Sequence, residues 1–569
     1  MSGKRVATSF LAAAMAVGTL SSAAFAENGT VDPADLNWEK PEETINISVY
    51  AGEGDQEEFL ADENGGKAVM DEWLLENLNV TFDWQYMTGD MTERLNLMLA
   101  DNSYPSVITN MPDDMAEKFI AQGKAVDLTE YLDDMPNLTR RMGDYINMLK
   151  DDEGHIYKLS TLWGENPNVA GLDFGVRWDY YLELGEEKMY ETPQEYIEVM
   201  KKILANHPTN DAGQTTYAFT SDNQGKSFLN AMLGAYGFIN GYKLNEETGE
   251  FTHWLNTDEG LEIAKLVNQM YREGLIDPDY QSVDYETYIS KLANGQVLGN
   301  FGTWWYAWVG GHQTWAVQEG DDYDNNKRFA NVSVHGEGMS MEDTSLLTSN
   351  YVGSYRMIIT DKATEEEIQG IVKYLNWEAS ELGTFIMGFG APREENVWKI
   401  DDDGTWLFDD EIMNVDTKDT TYHTVKNHYA CEYWVAICGQ WLKSDGRSVF
   451  DKIDPRVDRV SIYDYWPVNE DGSFADEGIN ICWGNYTAPA KDTTMYQTTF
   501  NSRDTIATIK QMVDDTITSS WAEIINSASE EDCIAAFEAA RDNCNAMGLE
   551  ELTDYYENSY KANVEKYEG

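Results

Sequence analysis

Strands and helices alternate through residues 45–108, and this alternation limits the folds open to the chain more than any other feature. Alternating polarity in Ile45–Tyr50 and Val80–Trp84 predicts two strands, and the short apolar Ser106–Ile108 predicts a third. An apolar stripe that includes Trp73 and a second one in Met91–Leu99 predict helices between these strands. Strands joined by helices in this order indicate an α/β fold with mainly parallel sheets.

Helix-start signals recur along the rest of the chain. Thr192–Glu195 and Thr364–Glu367 have the spacing of a capping box, so each predicts the first turn of a helix. Apolar periodicity predicts helices over 258–272 and over 529–567, the second broken at a Met-Gly pair. In Trp398–Trp406 an aspartate–glycine turn predicts a β-hairpin.

The N-terminal segment has the three parts of a secretory signal. A basic pair precedes the apolar Phe10–Leu20, and Ala24–Ala26 supplies the small residues of a cleavage site. We expect residues 1–26 to be a signal peptide cleaved after Ala26, with 27–44 as a flexible leader. No cysteine lies near the cleavage site, so a lipid anchor is not expected, and no later apolar run approaches the ~20 residues of a membrane span.

Size and charge restrict the partners. The 569 residues exceed what one hydrophobic core normally serves, so two or more domains are expected. A net charge of −61 argues against nucleic acid and against anionic membrane surfaces. Asp401–Asp403 lacks the alternate spacing and closing glutamate of a calcium loop. We therefore expect no cofactor, although the acidic surface leaves a structural calcium open without a motif to support it.

The five cysteines do not predict a disulfide framework. Cys533 and Cys544 lie eleven residues apart in a predicted helix, where the rise per residue separates them by roughly 16 Å, beyond bridging distance. We expect free, buried thiols.

Local motifs of catalysis are missing from the sequence. It contains no zinc-protease histidine pair, no serine-elbow motif and no phosphate-binding glycine loop. A carboxylate pair for glycoside hydrolysis cannot be identified by counting, because 101 acidic residues supply many pairs and only the fold sets their separation. We do not expect an enzyme, and a secreted glycoside hydrolase stays as an alternative.

An aromatic run between residues 304 and 315 is the richest chemical signal. Exposed rings in a water-soluble protein mark a binding surface, and the C–H faces of a sugar stack on indole. The alternative is a core strand and a loop with two rings buried. On a strand, adjacent rings would point to opposite faces, which predicts that one of Trp304 and Trp305 meets a sugar and the other is core. The run comprises Trp304, Trp305, Tyr306, Trp308 and Trp315.

Other tryptophans divide into two groups. Trp163 lies in a loop-like stretch, and Trp178 lies between Arg177 and Asp179, two groups able to bond hydroxyls. The tryptophans on apolar helix faces are assigned to the core, and they are Trp73, Trp377 and Trp521.

Short strings in a characteristic order carry a family resemblance. They are Ala100–Ile108, Gly123–Leu128, Gly154–Tyr157, Val176–Gly185 and Gly274–Asp279. In this order and spacing the chain resembles the family 1 extracellular solute-binding proteins of ABC importers, more narrowly the oligosaccharide-binding subgroup of Gram-positive bacteria. Ser106 stands where aspartate is usual in that family.

The resemblance implies a type II periplasmic-binding-protein-like fold, with two α/β lobes and a cleft between them. Each lobe is expected to hold a mainly parallel sheet flanked by helices. The implied course is lobe 1 over 45–167, lobe 2 over 168–349, a return to lobe 1 over 350–400, and completion of lobe 2 by hairpins and C-terminal helices over 401–569.

The resemblance also implies a function. Ligand binding would select a closed state of the two lobes, which a membrane permease then recognises. Several rings in one cleft favour an oligosaccharide over a monosaccharide, and we expect an exported monomer. A receptor for a peptide is the second alternative. The residues expected to line the cleft are Tyr50, Asn110, Trp163, Arg177, Trp178, Asp179, Trp304, Trp305, Tyr306, Trp308, Arg393 and Glu394.

Overall fold

The architecture was taken from a computed structural model. It describes residues 38–51, 66–87, 90–151, 153–161, 172–186, 188–302, 304–319, 324, 326–353, 355–380, 382–383, 386, 398–400, 406–408, 491–500 and 504–568.

Two sets of elements build the described part of the chain. The strands are β1 (Ile45–Ala51), β2 (Val80–Tyr86), β3 (Val107–Pro112), β4 (Leu159–Thr161), β5 (Asp173–Arg177), β6 (Tyr242–Asn245), β7 (Glu250–His253), β8 (Gly299–Gly302), β9 (Phe329–Ala330), β10 (Thr348–Ser349), β11 (Tyr355–Ile359), β12 (Trp398–Ile400), β13 (Trp406–Phe408) and β14 (Lys491–Asp492). The α-helices are α1 (Gly66–Leu78), α2 (Met91–Asp101), α3 (Asp113–Ala121), α4 (Pro136–Met142), α5 (Trp178–Glu183), α6 (Pro193–Asn206), α7 (Lys226–Ala235), α8 (Asp258–Arg272), α9 (Tyr285–Ala293), α10 (Trp304–Ala307), α11 (Thr314–Glu319), α12 (Glu365–Glu378), α13 (Thr505–Ile525), α14 (Glu530–Ala546) and α15 (Leu549–Glu568).

The first sheet has the strand order β2-β1-β3-β11-β4. β1 runs parallel to β2 and β3, while β11 runs antiparallel to β3 and to β4. Helix α12 lies close to β1 because Gly370 has no side chain: a Cβ there would come within 2.8 Å of Ile45. The alternation through residues 45–108 therefore predicted the parallel part of this sheet correctly.

The second sheet has the order β8-β5-β9, and β5 is antiparallel to both neighbours. Parallel pairing occurs further out, at the bridges Tyr217↔Val297 and Phe219↔Ile276. The mainly parallel arrangement expected for both lobes thus holds only for β1 to β3, because the first sheet is mixed and the second is antiparallel around the strand that enters it.

The two sheets support separate hydrophobic cores. The first core packs around β1, β3 and α12 and includes Trp73 and Trp377. The second, larger core packs around β5, α6 to α8 and the C-terminal helices, and includes Trp521 and Cys544. These three tryptophans are buried as predicted.

The predicted helix starts are confirmed. Thr364 and Glu367 form a complete capping box at α12, whereas Thr192 accepts from the Glu195 amide but Glu195 bonds the amide of Glu191 instead. The C-terminal segment is helical and breaks before Gly548, whose φ of +107° suits only glycine.

The predicted hairpin agrees with the structure, and so do the two cysteines that it describes, while Cys431, Cys438 and Cys482 lie outside the described residues. β12 and β13 pair antiparallel, with Lys399 opposite Leu407. Cys533 and Cys544 are free and buried, and burial raises the pKa of each to about 11. Among the helices that the structure describes, none combines the length and hydropathy needed to cross a membrane.

Helix α15 touches both cores. Its first turn buries Leu549 and Leu552 in the second core. At its other end the ring of Tyr567 lies 4.9 Å from that of Tyr145, and Asn147 Nδ2 donates to the Tyr567 carbonyl at 3.2 Å. The last helix therefore links the second core to the segment that follows α4.

Candidate ligand-binding site

The first-lobe candidates lie at the carboxyl ends of β1 and β3. Tyr50 is buried with Leu95 and Met115, and its hydroxyl has no hydrogen-bond partner among the described residues. Burial raises the pKa of Tyr50, an effect that Arg94 partly opposes. Asn110 adopts a left-handed backbone with φ of +50°, a conformation that asparagine tolerates better than most residues.

Charged side chains next to these candidates are fully engaged with one another. The Asp113 carboxylate accepts from Lys158 at 2.7 Å and from Arg356 Nε at 2.6 Å. Burial raises the pKa of Asp113, but the two cations outweigh it and hold that pKa below its ordinary value. Arg356 also donates to the carbonyls of Val352 and Gly353, at 3.2 and 3.0 Å. This network ties the segment before β11 to the end of β3.

The Arg177–Asp179 segment is internal to the second lobe. Arg177 is 2% exposed, and its Nε and a terminal nitrogen donate to Asp179 at 2.9 and 2.6 Å. The guanidinium carbon lies 4.5 Å from the centre of the Trp315 ring. Desolvation lowers the pKa of Arg177, but Asp179 more than compensates and keeps the group charged.

Trp178 corrects the prediction of a ring that stacks on a sugar between two polar groups. It is 0% exposed and lies in the second core, stacked on Tyr181 at 5.6 Å. The reason is local: β5 ends at Arg177 and α5 begins at Trp178, so the first helical turn directs this ring into the core. Trp178 is therefore not part of the proposed site.

The aromatic run is helical. Its backbone forms α10, a π-helical turn over 308–313 and then α11. The strand alternation invoked for Trp304 and Trp305 therefore does not apply. Trp315 is 2% exposed, donates from Nε1 to the Ala293 carbonyl at 2.7 Å and stacks on Phe329, so it belongs to a small core.

Tyr306 connects this run to a group that the sequence did not single out. Its hydroxyl donates to Asp222 Oδ2 at 2.7 Å, and its ring lies 5.2 Å from Tyr285 and from Tyr288. The other oxygen, Asp222 Oδ1, is buried without a hydrogen-bond partner in the described part of the chain. Tyr285 is 39% exposed. A carboxylate oxygen beside partly exposed rings is the combination that recognises a sugar hydroxyl and its apolar face.

Sequence reasoning missed Asp222 and Tyr285 for a simple reason. Asp222 is one of 101 acidic residues in the chain. Tyr285 lies 79 positions after the last residue of α6, the helix that Thr192 caps. A weak signal existed in Ser221–Asn223, a polar turn before α7, where Asn223 accepts from the Ser227 amide at 2.9 Å. Only the fold brings this turn to Tyr306.

The remaining candidates lie beyond what the structure describes. For Trp304, Trp305 and Trp308 the backbone is described and the side chains are not. Trp163, Arg393 and Glu394 lie outside the described residues, as does the acidic turn Asp401–Asp403. No group of three or more metal-binding side chains occurs among the residues that were described.

The architecture defines the kind of fold. An α/β chain with two main sheets, each beside a large core, and with segments that cross between them has the two-lobed fold of extracellular solute-binding proteins. No family profile matches the sequence. Comparison with curated proteins and solved structures supports the resemblance inferred from the sequence strings.

One curated relative is the fructooligosaccharide ABC transporter substrate-binding protein FusA of Streptococcus pneumoniae. It is 24% identical over 246 residues, which cover 41% of this chain and 45% of FusA, so the match spans less than half of that protein. In structure, FusA in complex with kestose covers 91% of this chain and 99% of its own, with a TM-score of 0.60 and 16% identity.

Two further solved structures share the fold. An HMO binding, ABC-transporter associated solute-binding protein from Bifidobacterium longum infantis covers 91% of this chain and 99% of its own, with a TM-score of 0.58 and 16% identity. The alginate-binding protein AlgQ2 covers 92% and 99%, with a TM-score of 0.55 and 14% identity. At these identities the similarity establishes the fold, and the ligands of those proteins are their own.

Proposed function

We propose that the chain is the extracellular substrate-binding protein of an ABC transporter, which captures an oligosaccharide between its lobes and delivers it to a membrane permease. The observation that carries this proposal is the two-lobed fold, shared with FusA over 91% of the chain. The sequence similarity to FusA, a protein named for the same role, supports it independently of the fold.

The local chemistry of the second lobe supports a sugar ligand. α10 starts two residues after β8 ends, so the aromatic run begins at the edge of the second sheet. Tyr306 of the run and the neighbouring Tyr285 provide ring faces. Asp222, bonded to Tyr306, has a second carboxylate oxygen that can accept from a hydroxyl. Rings that exclude water and a few oriented polar groups are the usual means of binding a sugar.

Closure of the lobes is the proposed mechanism. A ligand held on one wall gains the contacts of the other wall only when the lobes approach, so it stabilises the closed state by its differential affinity. The segments that cross between the cores are the ones that must bend. The Arg356 contacts to Val352 and Gly353 anchor one of these segments to the first lobe.

Export, a monomeric state and the absence of a catalytic activity belong to the same proposal. The relatives are named as binding proteins of transporters, which favours a receptor over a glycoside hydrolase. We also propose that no cofactor is needed. One structure of FusA is that of an EF-hand mutant, so melting with calcium and with chelator is the direct check: equal melting temperatures are expected.

Calorimetric titration of the mature protein tests the proposed function. The panel should contain fragments of fructan, xylan, mannan, pectin and starch, together with short peptides. We expect saturable binding of one sugar series, with the sugar recovered unchanged. Binding of peptides alone would overturn the proposal in favour of a peptide receptor, and release of new reducing ends would overturn it in favour of a hydrolase.

A further inference from the structure

A row of polar side chains crosses the second sheet on the face opposite its core. Gly175 of β5 pairs with Asn300 of β8. On its other side, Val176 pairs with Ala330 and the Phe174 amide donates to the Val332 carbonyl at 3.0 Å, so Gly175 lies opposite Asn331. A Cβ on Gly175 would lie 1.7 Å from Asn300 Oδ1 and 3.0 Å from Asn331 Oδ1. The side-chain amides of Asn300 and Asn331 therefore occupy the space above Gly175 that a Cβ would need.

The segment that continues β9 has two faces of opposite character. Ala330, Val332 and Val334 lie in the second core. Because side chains alternate along an extended strand, Asn331 and Ser333 lie on the other face. They are 0% and 3% exposed. The alternation thus puts two neutral polar groups side by side and out of water.

These two groups are unsatisfied. Both side-chain atoms of Asn331 and the hydroxyl of Ser333 are without a hydrogen-bond partner among the residues described. A buried polar group left unpaired costs about 1–3 kcal/mol, so native proteins rarely keep several together without a use for them. Both side chains are closed to solvent in this structure, so a ligand must displace what covers this face before its hydroxyl groups can supply the missing partners.

The row lies towards the start of β5, the strand by which the chain enters the second sheet. Arg177, at the far end of β5, lies beside Phe329 and is covered by Trp315. Towards the start of β5 the same face carries Asn331 and then Ser333, and β8 ends there at Gly302, opposite Asp173. α10, the start of the aromatic run, follows that end directly. Polar groups thus replace rings along this face towards the start of β5.

We propose that Asn331 and Ser333 form the polar floor of the second-lobe wall, and that the ligand is an uncharged oligosaccharide. This inference rests on the proposed function. An amide and a hydroxyl together offer donors and acceptors without charge, which matches adjacent sugar hydroxyls. A sugar carboxylate would need a cation, and Arg177, the cation that β5 carries on this face, is already paired with Asp179. The net charge of −61 further repels acidic sugars.

The test combines affinity with thermal stability. Asn331→Leu keeps the branched shape and the heavy-atom count of the side chain and removes both hydrogen-bonding atoms, Ser333→Ala removes one, and Asn96→Leu on the exposed face of α2 is the control. With the neutral oligosaccharide found by titration, we expect Asn331→Leu to bind about tenfold to a hundredfold more weakly, Ser333→Ala several-fold more weakly, and the control to bind like wild type. The melting temperature of Asn331→Leu should be equal to or above that of wild type, because a buried unpaired amide is gone.

Unchanged affinity in Asn331→Leu would overturn the inference and leave the proposed function intact. If Asn331→Leu does not fold, Ser333→Ala decides in the same way. Wild-type affinity for uronic-acid oligosaccharides equal to or above that for neutral ones of the same length would overturn the neutral-ligand assignment. A wild-type protein that binds no oligosaccharide would instead refute the proposed function itself.

Discussion

The two main sheets differ in whether their buried polar side chains are paired. At the end of β3 the groups are charged and satisfied: Asp113 pairs with Lys158 and Arg356, and Arg356 also bonds the carbonyls of the crossing segment. On the second sheet Asn331 and Ser333 are neutral and unpaired. A buried charge must be paired, whereas a neutral amide can stay unpaired at a smaller free-energy cost. We therefore interpret the network of Asp113, Lys158 and Arg356 as a structural brace of the first sheet. Asn331 and Ser333 are the proposed ligand surface of the second sheet.

Breaking the brace should have the largest effect. Arg356→Ala leaves Asp113 with one cation and frees the Val352 and Gly353 carbonyls, so we expect a loss of about 3 kcal/mol in unfolding free energy. Denaturant titration measures it. Lys118→Ala, which removes an exposed pair with Asp114, is the matched control and should cost less than about 0.5 kcal/mol. Equal effects of the two substitutions would show that the network is no brace.

Overpacking the polar row should come next. Gly175→Ala introduces a Cβ 1.7 Å from Asn300 Oδ1, which overpacking predicts to destabilise the fold by about 1–3 kcal/mol. Adding Asn300→Ala removes the atom that the Cβ meets and should recover part of that loss, as a double-mutant cycle by thermal melting would reveal. Additive losses in the cycle would contradict the close approach across Gly175.

Removing an aromatic ring tests the ligand side by itself. Trp304→Ala should weaken binding of the preferred sugar by about 1–3 kcal/mol, the scale of one large buried contact, with little change in melting temperature. Trp305→Ala is the companion variant, measured by the same titration. Unchanged affinity in both, with the fold intact, would exclude stacking on this run.

The smallest effect concerns pH. Because the pKa of Asp113 is held below its ordinary value, its pairing stabilises the fold above the unfolded-state pKa of about 4 and is lost as pH falls through the folded-state value. The difference in melting temperature between wild type and Asp113→Asn should therefore be greatest at neutral pH and shrink below about pH 4. A difference that stays constant down to pH 3 would mean that the pairing does not set the acid stability.

Local patterns predicted the elements well and the site poorly. The capping box at Thr364, the break at Gly548 and the parallel strands β1 to β3 follow from interactions a few residues apart, which a sequence displays directly. The expectation of a strand for the aromatic run was wrong, because aromatic side chains favour strands only where they can pack on a pleated, half-buried sheet. Here α10 follows a strand that ends at Gly302.

Site composition depends on contacts between distant segments. Asp222 meets Tyr306 from 84 positions away, and Asn300 meets Asn331 only through the register of β5 with both neighbours. Trp178 looked like a binding residue because of its charged neighbours, but the turn from β5 into α5 directs it inward. No local pattern encodes the first two contacts, whereas the burial of Trp178 follows from a local strand-to-helix turn that its charged neighbours do not reveal.

The sequence by itself determined the α/β class, the helix boundaries and the family resemblance, since these depend on periodicity, capping and short strings. Tertiary structure alone decided which polar groups are paired and which are not. The physical reason is that burial and register act between segments far apart in the chain. The same amide is a satisfied surface group in one setting and an unsatisfied one in another, and only packing distinguishes Asn331 from Asn96.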